Sequence, residues 1–234
     1  MKTLTIRLTA PLQAFGNQAS FARRTTAPYP TKSMVIGMIA AALGYARTDP
    51  RIQDLNQLDF AVRVDQPGQL LTDFQTVEWK RNTRKITYRD YLQDAVFVAA
   101  IGHADDDWIE RIATALKRPR FQLYLGRRAN APAGVLKMQL FAGAEPIAAL
   151  SQLEWQAAPW FQRRHHQQAT YSAQVYADKH LLSTGAVKLL RDQVQSFDQR
   201  DRRYGLRASR QTRVELANPR YQAAKTDHDV WAEL

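Results

Sequence analysis

The chain has 234 residues, enough for one large or two small domains that bury roughly 70% of the extended-chain surface. Its 33 lysines and arginines outnumber its 22 aspartates and glutamates, which leaves a net charge of +11. Such a charge attracts polyanions, so nucleic acid, acidic membrane surfaces and acidic proteins are the candidate partners. The absence of cysteine excludes disulfides, thiolate metal sites and cysteine nucleophiles, and it suits a reducing compartment.

The N-terminal segment predicts a strand and not a signal peptide. Leu4, Ile6 and Leu8 alternate with polar residues, whereas a signal peptide has a charged region followed by an apolar block. The longest apolar run, residues 34–46, contains two glycines and is too short to cross a bilayer core of about 30 Å. We therefore expect a soluble, cytoplasmic protein that does not contact membranes.

Apolar residues at helical spacing between positions 34 and 43 predict the first helix. Thr31 or Ser33 suits its N-cap, and Gly44 suits the position after its last turn. Asp49-Pro50 indicates the start of a short second helix.

Further strands and a helix are predicted downstream. Residues 60–64 alternate as in a half-buried strand, and residues 94–101 have the composition of a buried one, with an insertion between them. The acidic run 105–107 precedes an apolar helical face that ends near residue 117, which favours N-capping over a metal site. Beyond about residue 145 the pattern is weaker, with a strand at 171–177.

The order of the elements in the first half, β-α-β-β-α-β, predicts an α+β fold of the ferredoxin-like type. RNA-recognition motifs use the same plan, in which two helices cover one face of an antiparallel sheet. We expect the other face to be left for a ligand.

Cations are concentrated in the insertion and alternate there with aromatic rings. The cations are Lys80, Arg81, Arg84, Lys85 and Arg89, and the rings are Trp79, Tyr88 and Tyr91. Such a hairpin can pair phosphates with its cations and stack unpaired bases on its rings, at about 1–3 kcal/mol per base. The alternative is a solvated hairpin whose rings pack on the protein body.

Two further basic sets lie near glycine and helix-start signals. Arg127 and Arg128 follow Gly126, which could let the backbone approach a phosphate closely. The alternative, equally consistent with the sequence, is a structural one: the cations complement the C-terminal end of a helix, and the glycine forms an ordinary turn. Arg23 and Arg24 precede Lys32-Ser33 at the start of the first helix, where backbone amides bind anions. Capping by Ser33 is the simpler alternative.

In one more basic set, near the C-terminal end, all the cations are arginines. Residues 200–213 contain six arginines, no lysine and one acidic residue, Asp201. Because guanidinium binds phosphate in a bidentate manner and stacks on bases, this composition favours recognition over solubility.

Catalytic signals are weak. His165 and His166 could act as general acid and base on RNA, but neighbouring residues of a strand point to opposite faces. We find no P-loop, dinucleotide fingerprint, zinc spacing or nucleophile elbow, so we expect no catalytic residue, metal ion or cofactor.

Five motifs in their order along nearly the whole chain resemble the CasD family of CRISPR-associated proteins, of the RAMP superfamily, and most closely its subtype I-E form. They are Pro11-Leu12-Gln13-Ala14-Phe15-Gly16, Pro30-Thr31-Lys32-Ser33 running into Ala40-Ala41-Ala42-Leu43-Gly44, Arg89-Asp90-Tyr91-Leu92, Tyr124-Leu125-Gly126-Arg127-Arg128 and Arg202-Arg203-Tyr204-Gly205.

The resemblance implies a ferredoxin-like domain with a β-hairpin thumb and a smaller C-terminal β-rich region. We place the domain at residues 1–145, the thumb at about 74–93 and the C-terminal region at 146–234. Members of the family belong to the Cascade surveillance complex of antiviral defence, where they grip the 5′ handle of the CRISPR RNA. The thumb meets the backbone subunit, the body adjoins the large subunit, and target DNA is a further possible partner within the complex.

The resemblance also gives roles to the basic residues. Those expected at handle phosphates are Arg23, Arg24, Lys32, Ser33, Arg127 and Arg128. Those expected to contact RNA or a neighbouring subunit from the thumb are Lys80, Arg81, Arg84 and Lys85. Two alternatives stay open: a metal-independent endoribonuclease that processes precursor CRISPR RNA, and a duplex-DNA binder that acts through general basic charge.

Overall fold

The computed structural model describes residues 1–16 and 22–223. In this part of the chain the strands are β1 Lys2–Thr9, β2 Leu12–Gln13, β3 Arg23–Arg24, β4 Asp59–Gln66, β5 Gln69–Lys80, β6 Thr83–Gln93, β7 Val96–His103, β8 Met138–Ala142, β9 Thr170–Asp178, β10 Lys188–Ser196 and β11 Arg203–Ala217. The α-helices are α1 Lys32–Leu43, α2 Arg51–Asp54, α3 Asp106–Lys117, α4 Pro146–Gln152 and α5 Pro159–Arg164. The fold is therefore mixed α/β and dominated by strands.

Seven strands form the central sheet in the order β10-β11-β9-β4-β7-β1-β8. All neighbouring pairs are antiparallel. Because β9 pairs with β4, residues on both sides of position 145 contribute to one sheet. The division into two regions at that position stays a prediction, and the end of the second region, residues 224–234, lies outside the described residues.

The helices α1 and α3 cover one face of this sheet. Thr31 Oγ1 accepts a hydrogen bond from the Met34 amide, and Gly44 ends α1 in the left-handed region. Asp105 caps α3 by accepting from the Trp108 amide, so the sequence-based prediction of N-capping is confirmed. The core between helices and sheet includes Leu4, Ile6, Phe60, Phe97, Ile36, Ile39, Ile109 and Ile112.

The opposite face of the sheet is also covered, so the expectation of an open ligand-binding face is wrong. Leu150 of α4 and Trp155 are buried there. Beneath them Arg63 and Asp65 of β4 form a fully buried ion pair, 2.7 Å between Arg63 Nε and Asp65 Oδ1. Arg63 also donates to the carbonyl oxygens of Leu153 and Glu154, which holds the covering segment onto the sheet. Such a buried charge pair needs these additional hydrogen bonds to offset its desolvation.

A long hairpin, β5–β6, leaves the central sheet between β4 and β7. Its ladder extends from the pair Gln69–Gln93 to the pair Lys80–Thr83, and β6 also pairs with β2 and β3. Asn82 at the turn has a φ of 61°, a conformation that asparagine tolerates better than most residues. In the described part of the chain, no helix is long and apolar enough to cross a membrane.

The turn at Gly126 is tightly packed, and its substitution tests this part of the fold. Gly126 has a φ of +88°, and a Cβ atom there would lie 1.4 Å from the Ala14 carbonyl oxygen. We expect Gly126→Ala to lower the free energy of unfolding by more than the ~1–3 kcal/mol of backbone strain alone, measured by urea unfolding. The control is Gly134→Ala, because Gly134 has a φ of +75° with no atom within 4 Å of the added Cβ. An equal decrease in the free energy of unfolding in both variants would contradict the close approach of Gly126 to the Ala14 carbonyl oxygen.

Candidate nucleic-acid interface

Backbone pairing holds the first two candidate arginines against the hairpin. β3 runs parallel to β6, with Arg23 opposite Tyr88 and Arg24 opposite Arg89. The Tyr88 amide also donates to the Ala22 carbonyl oxygen at 2.9 Å. This part of the molecule, where β3 meets the root of β6, is called the hairpin base below.

The carboxylate of Asp90 ties three segments together at the hairpin base. Arg23 donates to it through Nε and Nη2, both at 3.2 Å, and Thr72 Oγ1 donates at 2.8 Å. Burial raises the pKa of the Asp90 carboxyl, but these hydrogen bonds and the charges of Arg23 and Arg127 outweigh burial and lower the pKa. The carboxylate therefore stabilises the fold above the pKa of an unfolded aspartate, and this contribution is lost as pH falls through the folded value.

Arg127 joins the hairpin base from a distant part of the sequence. Its guanidinium carbon lies 4.2 Å from the centre of the Tyr91 ring, and its Nη2 donates to the Arg24 carbonyl oxygen at 3.0 Å. A cation–π contact of this kind contributes about 0.5–1 kcal/mol at an exposed site. The Arg127 Nη1 atom is shielded from water but has no hydrogen-bond partner among the described residues. The guanidinium is thus held by the Tyr91 ring and the Arg24 carbonyl oxygen and is only partly exposed.

The close approach that glycine permits at position 126 is to protein and not to a phosphate. The Ala14 amide donates to the Leu125 carbonyl oxygen, and the turn closes with Asn130 donating to the same oxygen. The turn places Arg127 over Tyr91 and leaves Arg128 exposed beside it.

The structure thus brings Arg23, Arg24, Arg127 and Arg128 together at the hairpin base. Arg89 belongs to the same group, because it pairs with Arg24 along β6. The sequence analysis gave no role to Asp90, and it proposed Tyr91 as a ring for base stacking, whereas Tyr91 is buried beneath Arg127. Their function depends on contacts with segments that the local pattern does not reveal.

The four candidate cations of the hairpin tip lie apart from the hairpin base. Lys80, Arg81, Arg84 and Lys85 are exposed at the β5–β6 turn. Lys85 is four residues from Arg89 along β6, which corresponds to about 13 Å in a strand. Arg84 Nε lies 3.8 Å from Glu78 Oε2, an exposed pair of little energetic value.

One face of the hairpin is apolar and exposed. The register places Phe74 opposite Tyr88, with Leu70 and Ile86 on the same face. Their exposed fractions are 66% for Phe74, 63% for Leu70, 51% for Ile86 and 46% for Tyr88. We call these four residues the apolar hairpin face. The pair Thr72–Asp90 separates Leu70 from the group Phe74, Ile86 and Tyr88. Exposed apolar side chains grouped in this way are typical of a binding site for a macromolecule.

Lys32 has a different role from the predicted phosphate contact. Only 6% of the residue is exposed. Its Nζ donates to Asp178 Oδ2 and to the Asn56 carbonyl oxygen, both at 3.0 Å. Arg207 completes the cluster by donating to Asp178 at 2.7 Å and to Asp192 at 2.8 Å. Lys32 therefore neutralises buried acids and is omitted from the proposed RNA surface.

The start of α1 is likewise occupied by the protein itself. The Lys32 amide donates to Asp192 Oδ2 at 3.0 Å, and Ser33 Oγ lies 3.2 Å from Thr31 Oγ1. A carboxylate of the chain thus occupies the place that an external anion would take at this helix terminus. The contact of Ser33 with a handle phosphate remains a prediction without a structural argument.

The other basic and histidine candidates are dispersed. Arg207 belongs to the buried cluster, and Arg210 donates to the Leu182 carbonyl oxygen. His165 lies at the end of α5 and not on a strand. Its Nδ1 is hydrogen-bonded to the Phe161 carbonyl oxygen. His166 Nδ1 bonds the Arg163 carbonyl oxygen.

One group of side chains has the ligand types of a metal site. Ligand atoms of Asp59, Asp178 and His180 lie within 4.8 Å of one another. Asp178 already accepts hydrogen bonds on both oxygens from Lys32 and Arg207. A cation would have to compete with two positive charges, so this group does not fit a metal centre.

Comparisons with known proteins find similar chains over most of the sequence. A family model described as CRISPR-associated protein (Cas_Cas5) matches residues 3–211. The CRISPR system Cascade subunit CasD of Escherichia coli (strain K12) is 34% identical over 148 residues, 53% of this chain and 65% of that protein. The match thus spans less than two thirds of that relative's length.

Two solved structures match almost the whole chain. A chain of a CRISPR RNA-guided surveillance complex is 31% identical, with 95% of both chains covered and a TM-score of 0.74. A second structure, described as a crystal structure of Cas protein, is 30% identical, with 95% of this chain and 98% of that chain covered and a TM-score of 0.66.

The structural role of Lys32 can be tested by substitution. We expect Lys32→Ala to lower the free energy of unfolding by about 3–5 kcal/mol, because it leaves a buried carboxylate short of a partner, as measured by urea unfolding. Arg24→Ala serves as the control, since the Arg24 side chain is exposed and its carbonyl oxygen is retained. A Lys32→Ala variant of normal stability but weaker RNA binding would restore the phosphate role.

Proposed function

Because the chain belongs to the Cas5 family of CRISPR-associated proteins, we propose that it is a non-catalytic RNA-binding subunit of a Cascade surveillance complex in antiviral defence. The relative from Escherichia coli is a Cascade subunit, and the similar solved chain belongs to an RNA-guided surveillance complex. In this proposal the subunit acts in the cytoplasm and holds the 5′ handle of the CRISPR RNA.

The proposed fold within the family is ferredoxin-like, with β5–β6 as its thumb. The elements β1-α1-β4-β7-α3-β8 follow the order β-α-β-β-α-β, and their strands are arranged as β4-β7-β1-β8. This arrangement supports the proposal, because the two central strands, β1 and β7, are the first and the third of the four along the chain. The hairpin is inserted between the second and third strands.

The observation that carries the RNA proposal is the convergence of arginines on the hairpin base. Three segments distant in sequence bring Arg23, Arg24, Arg89, Arg127 and Arg128 together, and Asp90 is the buried acid among them. Since guanidinium binds phosphate in a bidentate manner and stacks on bases, this group suits a single strand of RNA. The ring of Tyr88 is exposed opposite Arg23, whereas the ring of Tyr91 is buried beneath Arg127.

The hairpin suits contacts with a neighbouring subunit as well as with RNA. The apolar hairpin face would lose its water on binding protein, so we assign it to the backbone subunit. The tip cations Lys80, Arg81, Arg84 and Lys85 are assigned to RNA or to the same neighbour. The body of the protein is assigned to the large subunit, with target DNA as a further partner in the complex.

The subunit is proposed to lack nuclease activity. Cleavage through the 2′-hydroxyl needs an acid and a base that converge on one nucleotide. His165 and His166 each bond a backbone carbonyl oxygen through Nδ1, and His165 packs against the rings of Trp155 and Tyr171. These contacts favour structural roles for both histidines.

Binding of the full chain to handle-bearing CRISPR RNA, scrambled RNA and duplex DNA at two salt concentrations tests the RNA proposal. We expect preference for the handle RNA, weakened in Arg127→Ala/Arg128→Ala, with the salt slope reduced by about 0.7 per lost phosphate contact. Lys188→Ala/Arg191→Ala removes the same charge from exposed residues of β10 and should bind as the wild type does.

Equal affinity for all three nucleic acids would contradict the handle proposal and favour binding through general charge. The handle RNA should also stay intact in the presence of a chelator. Cleavage that is lost on His165→Ala or His166→Ala would establish the ribonuclease alternative.

Co-purification with the other Cascade subunits tests the role of the hairpin. Phe74→Ala/Ile86→Ala should reduce recovery of the backbone subunit without lowering stability, because both side chains are more than half exposed. Lys80→Ala/Arg84→Ala at the tip is the matched variant, and it reports on RNA contacts. If the apolar variant assembles normally, the assignment of the apolar hairpin face to a protein partner is wrong.

A further inference from the structure

A second group of cations and rings lies around α5, on the face of the sheet opposite α1 and α3. Arg163 and Arg164 are exposed at the end of this helix. The Gln222 amide donates to the His166 carbonyl oxygen at 2.8 Å. The Asn218 side chain donates to the carbonyl oxygens of His165 and Gln168, at 2.9 and 3.2 Å. These bonds fix the segment after β11 against α5.

The same bonds bring two more side chains to this place. Arg220 and Tyr221 lie in the segment that Asn218 and Gln222 attach, and both are exposed. We call the group Trp160, Arg163, Arg164, Arg220 and Tyr221 the α5 surface.

The sequence that contains α5 is poor in acidic residues. No acidic residue occurs in the sequence between Glu154 and Asp178. Among the residues that the structure describes, no carboxylate forms an ion pair with Arg163, Arg164 or Arg220. This contrasts with Arg63 and Arg207, which buried carboxylates neutralise.

Two exposed rings accompany these cations. Trp160 is 47% exposed and Tyr221 is 46% exposed. The Trp160 ring packs edge-on against Phe161 at 5.7 Å, and Phe161 belongs to an aromatic cluster with the buried Trp155. A ring that is already supported on one side loses little freedom when a base stacks on its other side. Exposed rings beside arginines, one of them supported by Phe161, suit single-stranded nucleic acid better than duplex, because only unpaired bases can stack on them.

The start of α5 is connected to the end of the hairpin through Gln66. The Ala158 amide, just before α5, donates to Gln66 Oε1 at 3.0 Å. The Gln66 side chain in turn donates to the carbonyl oxygen of Asp94, which connects the hairpin to β7. Gln66 therefore links the start of α5 to the root of the hairpin.

We propose that the α5 surface is a second binding site, which takes single-stranded nucleic acid without regard to sequence. Its arginines contact phosphates, and Trp160 and Tyr221 stack on bases. The proposal goes beyond the handle contact, since neither rings nor guanidinium groups on an open surface select one base. It is also independent of the hairpin base, because the two sites share no residue.

Fluorescence anisotropy of the full chain with a labelled uridine-rich RNA, and with the DNA counterpart of that strand, tests this site. Neither strand carries the handle. Arg163→Ala/Arg164→Ala should bind more weakly, with the salt slope lowered by about 1.4 for two lost phosphate contacts on a single strand. The charge-matched control is again Lys188→Ala/Arg191→Ala, which should retain the wild-type slope. Melting curves of each variant confirm that the chain is folded.

The contribution of the ring is tested separately. Trp160→Ala should weaken binding by about fivefold or more, and Trp160→Phe should restore most of it. Similar binding of RNA and DNA would indicate contacts with phosphates and bases, whereas preference for RNA would indicate a contact with the 2′-hydroxyl. Either result supports the site.

The proposal is overturned if Arg163→Ala/Arg164→Ala loses no more affinity than the control variant. The two arginines would then only complement the C-terminal end of α5. This failure is distinguishable from failure of the handle proposal, which depends on the response of handle RNA to Arg127→Ala/Arg128→Ala.

Discussion

Buried carboxylates divide the cations of this protein into structural and available ones. Asp65, Asp90, Asp178 and Asp192 are almost completely buried. Their buried cationic partners are Arg63, Lys32 and Arg207. Arg23 pairs with Asp90 but stays half-exposed, so it belongs to both groups. A buried charge without a partner costs several kcal/mol, so these pairs are a condition of folding. Because the chain has fewer acids than cations, many of the other cations stay exposed, and the net charge of +11 is displayed to partners.

The geometry of the sheet concentrates both proposed nucleic-acid surfaces at one end of the molecule. Gln66 at the end of β4 pairs with Val96 at the start of β7, and β9 lies antiparallel on the other side of β4. The connection from β4 into the hairpin and the connection from α5 into β9 therefore lie at the same end of the sheet. A nucleic acid held at the hairpin base would have a second cationic surface within the same region, which extends the contact without a second domain.

Local signals predicted the individual elements well and their packing poorly. The N-caps Thr31 and Asp105 and the strand at 171–177 depend on a few consecutive residues, and all are present in the structure. The covering of the second sheet face was missed, because α4 and α5 are too short to give a clear periodicity. The motif order predicted the family correctly, since it depends on residue identity and not on contacts.

The sequence by itself determined the sign and amount of charge, the principal helices and strands, and membership of the family. Only the tertiary structure decided which cations are available to a ligand. The sequence suggests that Lys32 is a surface residue at the start of a helix. In the structure its amide donates to Asp192, 160 positions away, and its ammonium group donates to Asp178, 146 positions away. Arg23 and Arg127 belong to separate sets in the sequence. In the structure Arg23 bonds Asp90, and Arg127 bonds the carbonyl oxygen of Arg24, the neighbour of Arg23. Charge pairing depends on distances in space, and these follow from the sheet pairing of remote segments.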